Sequence, residues 1–104
     1  MGAGGLPHGL HYGNIQSGEV DGDGTAKALP SIEGQLFLIS ALNSNVGDVY
    51  LGGSGVTIPD GTTDTTSGLE LQPGDTITVP IHNLSLLYII ADNDGDDITY
   101  LSLA

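Results

Sequence analysis

Four aspartates and a glycine lie together in the sequence DNDGDD, from Asp92 to Asp97. Calcium takes six to eight oxygen ligands, and an EF-hand loop has glycine at its sixth position and a bidentate glutamate at its twelfth. Counted from Asp92, those positions are Asp97 and Leu103, so the EF-hand pattern fails. The turn chemistry of Asn93–Gly95 predicts instead the tip of a tight β-hairpin, with a weak cation site as the alternative.

The three histidines are the other potential metal ligands, because imidazole binds metals readily. His8 and His11 lie near the amino terminus, and His82 follows the sequence GDTITVP. That sequence is similar to the start of the second cupin motif. The first cupin motif, a His-x-His pair with a following glutamate, is missing from the sequence. We therefore expect no metal and no cofactor.

Serine and carboxylate catalysis find little support in the sequence. Ser54 lies in GGSGV, where Val56 occupies the position of the second glycine of a nucleophile elbow. Most of the 13 acidic residues fall in predicted turns, whereas catalytic carboxylates usually owe their shifted pKa values to burial. We expect a protein that is not an enzyme.

The charge balance restricts the partners. The net charge is −12, and Lys27 is the single lysine or arginine. Nucleic acids and anionic lipids both attract proteins through Lys and Arg, so we expect neither nucleic acid nor membrane as a partner. No apolar run approaches the roughly 20 residues of a membrane span. The sequence has no cysteine, which excludes disulfides.

The elements that would position these residues are strands. Turn signals separate short apolar or alternating runs from residue 18 onward, which is typical of all-β domains. The runs are GEV, TAKAL, QLFLISAL, VYLGG, LEL, TITVPI, LLYIIA and DITYLSL. These eight short strands predict an all-β fold, an antiparallel β-sandwich or jelly roll, over residues 18–104.

Single strands carry more specific predictions. The continuous apolar run QLFLISAL predicts a central strand that is covered on both faces. Pro80 within TITVPI predicts an edge strand or a bulge. The last two runs are expected to pair as a hairpin around Asp94-Gly95, and the polar stretch Gly55–Gly68 is expected to form a long loop without strand or helix.

Residues 1–17 are rich in glycine and lack a hydrophobic period, so they predict an extended arm. Its apolar residues would suit contact with a neighbour, and a disordered terminus is the alternative. These residues are Leu6, Leu10, Tyr12 and Ile15. Several strands carry apolar residues on both faces, which predicts burial against another subunit. In the last strand the candidate interface residues are Tyr100, Leu101 and Leu103.

Residues 18–104 also resemble a known class of proteins. The resemblance is carried by ALPS before the long apolar strand, by Asn43 and Asn45 in the next turn, and by three further sequences, VYLGGSGVT, LQPGDTITV and LYIIADNDGDDITYLSL. In these features the chain is similar to small β-sandwich virion proteins of tailed bacteriophages, of the head decoration (cement) or head-fibre type.

The resemblance implies a structural role without chemistry. It implies a capsid decoration protein, made in the bacterial cytoplasm, that forms a homotrimer on the outer capsid surface of the virion. There it would bridge subunits of the major capsid protein. The alternative is a fibre or spike module that binds host-surface carbohydrate. Sugar sites usually present aromatic side chains, and this sequence has no tryptophan and one phenylalanine.

Overall fold

The computed structural model describes residues 15–104, which form eight β-strands and one 3-10 helix of three residues. The strands are β1 (Ser17–Val20), β2 (Lys27–Ala28), β3 (Leu36–Ala41), β4 (Val49–Gly52), β5 (Leu69–Leu71), β6 (Thr76–Pro80), β7 (Tyr88–Ala91) and β8 (Ile98–Ser102). The 3-10 helix is Leu84–Leu86. The predicted arm contacts Leu6, Leu10 and Tyr12 lie outside the described residues, as do His8 and His11.

The strands form two antiparallel four-stranded sheets. The first sheet has the order β1-β8-β3-β6 and the second has the order β2-β7-β4-β5. Apart from the β4–β5 connection, each connection crosses from one sheet to the other. This strand order is that of a jelly roll, in which two Greek keys close around one core. The predicted all-β sandwich is confirmed.

The core lies between the two sheets, because side chains alternate along each strand. On β3, Phe37 and Ile39 point inward and are fully buried. They pack with Ile98 of β8 and with Val49 and Ile89 of the second sheet. Each such side chain stabilises the fold by about 1.5–3 kcal/mol through burial. The inward side chains of β3 therefore form part of the middle of the core.

Two predictions about the first sheet have different outcomes. Pro80 lies in β6, the edge strand, where a missing N–H is tolerated, so the edge prediction is confirmed. The expectation that β3 is covered on both faces is wrong within the described residues. Leu36, Leu38 and Ser40 point outward and are only half-buried.

The predicted hairpin at Asp92–Asp97 is also wrong. β7 lies in the second sheet and β8 in the first, so the segment crosses the end of the sandwich. The reversal at Asp94-Gly95 is present: the Asp96 N–H donates to the Asn93 carbonyl over 3.2 Å, and Gly95 has φ of 88°. The predicted chain reversal is therefore present, but the strands that it joins belong to different sheets.

The loop between β4 and β5, residues 53–68, contains no strand or helix, as predicted. It folds over the outer face of the second sheet, where Val56 is buried against Tyr50 and Ile90. Val56 can approach the sheet because Gly68 has no side chain. A Cβ atom on Gly68 would lie 2.8 Å from Val56 Cγ2. The loop therefore supplies a cover for this face from within the chain.

The amino-terminal boundary differs slightly from the prediction. β1 begins at Ser17, and Gln16 already pairs with Ser102: the Ser102 N–H donates to the Gln16 carbonyl over 2.8 Å. The first strand therefore starts one residue before the predicted boundary between residues 17 and 18. Within residues 15–104, no helix has the length and apolar character needed to cross a bilayer.

Candidate functional site

Four loops meet at one end of the sandwich, which we call the acidic end. They are the loops of residues 21–26, 42–48, 72–75 and 92–97. Eight of the 13 acidic residues lie in these loops. At the opposite end, the loops of residues 29–35, 53–68 and 81–87 hold three, namely Glu33, Asp60 and Asp64. The negative charge is thus strongly concentrated at one end.

Asp96 is the structural centre of the acidic end, because its carboxylate is buried with 2% exposure. Its Oδ1 accepts from the Val46 N–H over 2.8 Å, and its Oδ2 accepts from the Gly47 N–H over 3.1 Å. The Asn93 side chain donates to Oδ2 over 3.0 Å. Burial raises the pKa of Asp96, but these hydrogen bonds outweigh it and hold the pKa below 3.8. Asp96 therefore joins the two loops as an anion.

Asn45 makes a second link between the same loops. Its Nδ2 donates to the Asp97 carbonyl over 2.9 Å, and its Oδ1 accepts from the Asp97 N–H over 2.9 Å. An amide side chain that bonds both the N–H and the C=O of one residue satisfies these groups as a strand neighbour would. Asn45 and Asp96 thus have structural roles. Asn45 is also one of the residues that carry the sequence resemblance.

Glu19, Asp21 and Asp97 place one carboxylate oxygen each within 4.8 Å of the others. A hydrogen bond with Asp97 raises the pKa of Glu19, and burial and the charges of Asp97 and Asp21 add to the rise. Three oxygens are about half of a calcium coordination shell. Two of the three residues are exposed, and exposed acidic groups commonly lie together without an ion. The cluster is therefore no more than a group of neighbouring carboxylates.

A second group of acidic residues surrounds Tyr50 on the second sheet. The Tyr50 hydroxyl donates to Asp92 Oδ1 over 3.0 Å, and Asp92 Oδ2 accepts from the Asp48 N–H over 2.9 Å. Burial and this hydrogen bond raise the pKa of Tyr50 to about 12. Burial and the charge of Glu70 raise the pKa of Asp48. These contacts bind β4 to the end of β7 and leave the phenol firmly protonated.

His82 and Ser54, which the sequence offered as candidates for metal binding and for catalysis, both lie in exposed loops. His82 lies exposed in the loop between β6 and β7, at the end of the sandwich opposite the acidic end. Ser54 is exposed in the loop of residues 53–68. Asp23 forms an ion pair of 3.4 Å with Lys27. Within residues 15–104, no side-chain hydrogen bond links a histidine to a serine or a carboxylate.

A shallow, open depression of about 320 Å³ lies beside the loop of residues 53–68. Its lining is made of glycines, hydroxyl side chains and Val56; the residues are Gly52, Gly53, Ser54, Val56, Thr65, Thr66 and Ser67. Sugar-binding sites commonly stack a pyranose ring on an aromatic side chain, and this lining contains none. The depression therefore offers hydrogen bonds without a stacking platform.

The outer face of the first sheet carries four neighbouring leucines, Leu36, Leu38, Leu101 and Leu103, which we call the outer leucine face. Leu38 is paired with Leu101 across β3 and β8. The Leu103 N–H donates to the Leu36 carbonyl over 2.8 Å, which places these two side by side. Two of the predicted interface residues, Leu101 and Leu103, lie on this face.

Tyr100, the third predicted interface residue, points the other way. It is paired with Ile39, whose side chain is buried in the core, and it packs against that core itself. A Cβ atom on Gly18 would lie 2.6 Å from the Tyr100 hydroxyl, so the ring lies over this glycine. Ile15, the one described residue of the predicted arm contacts, is 75% exposed beside the first sheet.

Comparison of the chain with protein-family models, with curated proteins and with solved structures finds no match.

Proposed function

We propose that this protein is a virion structural protein of a tailed bacteriophage. In this role it decorates the outer capsid surface, associates with copies of itself as a homotrimer, and bridges subunits of the major capsid protein. It performs no catalysis. The proposal starts from the sequence resemblance, and one structural observation supports it: the surface is divided between an acidic end, an opposite end with fewer acidic residues, and an apolar sheet face.

The uneven distribution of acidic residues makes the two ends of the sandwich different. The chain enters the first sheet at Gln16, which pairs with Ser102 at the end opposite the acidic loops. The C-terminal Ala104 lies at the same end, where its carbonyl accepts from the Leu36 N–H over 2.9 Å. Residues 1–14 contain no acidic residue. The arm and the end from which it leaves can therefore approach a protein shell, while the acidic end faces the solvent.

This orientation suits a cement protein physically. A protein that binds the assembled shell and not its free subunits stabilises the assembled state by mass action. Several arms in one oligomer multiply the effect, because each bound arm raises the effective concentration of the next. An acidic outward surface keeps decorated particles apart, since like charges repel.

Binding to bare shells tests the proposal. Tailed-phage shells prepared without this protein are mixed with the full chain, with a chain that lacks residues 1–14, and with the full-length Val46→Ser variant. Val46 is 88% exposed at the acidic end and serves as the matched control. We expect the full chain and Val46→Ser to bind equally and the truncated chain to bind at least tenfold more weakly. A full chain that binds no shell, or a truncation that unfolds the sandwich, would contradict the proposal.

The alternative, a fibre module that binds host carbohydrate, gains little from the structure. The depression beside the loop of residues 53–68 has hydroxyl groups but no aromatic lining. Tyr50 and Tyr88, on the same sheet, pack in the cluster with Val56 beneath this loop. A glycan array in which the full chain binds a defined sugar, with loss of binding in Thr66→Ala, would favour the alternative over the decoration role.

A further inference from the structure

We propose that the outer leucine face is a self-association surface and that a second copy of this chain covers it. The inference goes beyond the proposed function, because a face-to-face contact joins two copies, whereas the proposed homotrimer needs contacts between different faces. Its test uses the isolated protein without capsids, so its failure and a failure of shell binding are separate results.

The register of the first sheet makes the four leucines a single patch. Residues directly opposite each other on one face of an antiparallel pair have Cβ atoms about 4.5–5.5 Å apart. Leu38 and Leu101 have this relation in the β3–β8 pair, and Leu36 and Leu103 follow at the next outward positions. Leu103 is 38% exposed, and the other three leucines are half-buried. Ile15, beyond the start of β1, extends the patch.

The surroundings of this patch are almost free of charge. Apart from the leucines, the outward residues of the first sheet are Ser17, Glu19, Ser40, Thr76, Thr78, Pro80 and Thr99. Glu19 is the only charged residue among them, and it lies toward the acidic end beside Asp97. A chain with a net charge of −12 thus keeps one broad sheet surface nearly neutral.

The charge distribution favours a second copy over a strongly basic partner as the occupant. Two copies cannot attract each other through ion pairs, because Lys27 is the one lysine or arginine and already pairs with Asp23. They can meet without opposing carboxylates where the surface is neutral, and the outer leucine face is such a surface. A strongly basic partner would be drawn to the acidic end instead. Contact between two identical faces is also self-complementary, as two-fold symmetry requires.

The second sheet shows how an apolar outer face is covered in this molecule. There, Val56 and Ile58 of the loop of residues 53–68 lie over Tyr50, Tyr88 and Ile90. No equivalent loop crosses the first sheet within residues 15–104. The leucines therefore remain half-exposed in one copy and become buried when two first sheets stack face to face at a spacing of about 10 Å.

The size of the face predicts a weak contact. Four strands about 4.8 Å apart and five residues long span roughly 19 by 17 Å. This area is well below the roughly 800 Å² per partner of a stable complex. We expect a dissociation constant of about 0.1–1 mM for the isolated protein. Closer association then needs the high local concentration that a shell or further contacts supply.

Sedimentation equilibrium from about 10 µM to 1 mM tests the inference on the full chain. We expect concentration-dependent association of the wild type, at least tenfold weaker association of Leu101→Asp, and no change in Leu69→Asp. Leu69 is 54% exposed on the edge strand of the second sheet and is the matched control. A wild type that stays monomeric at 1 mM, or equal weakening by both substitutions, would overturn the inference.

A measurement on the wild type keeps the test valid if Leu101→Asp fails to fold. Leucine methyl signals are followed by NMR during dilution from 1 mM. We expect shifts confined to Leu36, Leu38, Leu101 and Leu103, with Leu69 and Leu86 unaffected. Shifts that centre on Leu69 or Leu86 would contradict the inference. If residues 1–14 of the same copy cover the face, their removal will change these signals at every concentration, and that result too would overturn it.

Discussion

Both sheets of this jelly roll carry apolar residues on their outer faces, but these residues are covered to different extents. The second sheet carries Tyr50 and Ile90 outward, and Val56 of the chain's own loop buries them. The first sheet carries Leu38 and Leu101 outward, and they are only half-buried. An apolar outer face is thus a feature of both sheets, but only one is closed within the described chain. The difference separates residues that stabilise the fold from residues that are available for contact.

The largest expected effect is on the free energy of unfolding of the whole sandwich, on which both outer faces depend. Asp96 accepts three hydrogen bonds from a buried position and joins the loops that connect the two sheets. Hydrogen bonds to charged groups contribute about 1.5–3 kcal/mol each. We expect Asp96→Ala to lower the free energy of unfolding by about 3–4 kcal/mol in urea denaturation, and Asp94→Ala, in the same turn but exposed, to change it by less than about 0.5 kcal/mol. Equal effects would contradict this role of Asp96.

The same carboxylate predicts the acid sensitivity of the fold. The pKa of Asp96 is lowered below 3.8, so its contribution to stability is complete above that value. It is lost as the pH falls through the lowered pKa of the folded protein. We expect the stability difference between wild type and Asp96→Asn to be constant from pH 7 to 5 and to shrink below pH 4. A difference that grows on acidification would be inconsistent with the lowered pKa.

The next effect should be confined to the covered face. A Cβ atom on Gly68 would lie 2.7 Å from Tyr50 Cβ and 2.8 Å from Val56 Cγ2, whereas one on Gly53 would meet nothing within 4 Å. Overpacking of this kind costs about 1–3 kcal/mol. We expect Gly68→Ala to lower the free energy of unfolding by about 2 kcal/mol and Gly53→Ala to leave it unchanged. Displacement of the loop should also create a second apolar face, which increased self-association of Gly68→Ala would reveal.

A direct comparison of the two outer faces replaces one apolar side chain on each by alanine. Ile90 is 9% exposed beneath the loop, whereas Leu38 is only half-buried. We expect Ile90→Ala to cost about 2–3 kcal/mol of stability and Leu38→Ala about 1 kcal/mol or less. In contrast, Leu38→Ala should weaken self-association and Ile90→Ala should not. If Leu38→Ala proves as destabilising as Ile90→Ala, the outer leucine face is covered within a single copy.

The smallest effect is a dependence of self-association on pH. A hydrogen bond with Asp97 raises the pKa of Glu19, the one charged residue on the outward side of the first sheet. Above this raised pKa, the negative charge of Glu19 disfavours both folding and contact between two copies. This unfavourable effect disappears when Glu19 is protonated, as the pH falls through its pKa. We expect association to strengthen a few-fold between pH 7 and 4.5, and Glu19→Gln to be stronger at pH 7 and less sensitive to pH. If Glu19→Gln keeps the pH dependence of the wild type, then Glu19 does not cause it.

The sequence predicted those parts of the fold that depend on local pattern. The eight runs correctly indicated the eight strands, and Pro80 marked the edge strand. The hairpin prediction at Asp92–Asp97 failed because Asn93–Gly95 favours a chain reversal whether or not the two strands share a sheet. The partners that fix the crossing, Val46 and Gly47, lie about 50 residues away in the sequence.

The candidate surfaces were predicted less completely. Apolar residues on both sides of strands correctly indicated outward leucines, but alternation alone could not assign Tyr100 to the core side, because that depends on which register β8 adopts. The cover of the second sheet was missed, since Val56 and Ile58 lie in a stretch that is otherwise polar. Two apolar residues at alternate positions, in SGVTIPDG, were the available signal.

Distance measurement between spin labels tests the central claim most directly, namely that copies meet through the outer leucine face. The chain has no cysteine, so Thr78→Cys places one label on the rim of this face and Ser54→Cys places one on the far side of the sandwich. In samples frozen at about 1 mM, we expect a distance below about 30 Å between Thr78 labels and a longer one between Ser54 labels, because stacked sheets lie about 10 Å apart. A shorter distance between the Ser54 labels, or no distance between copies at either site, would contradict the claim.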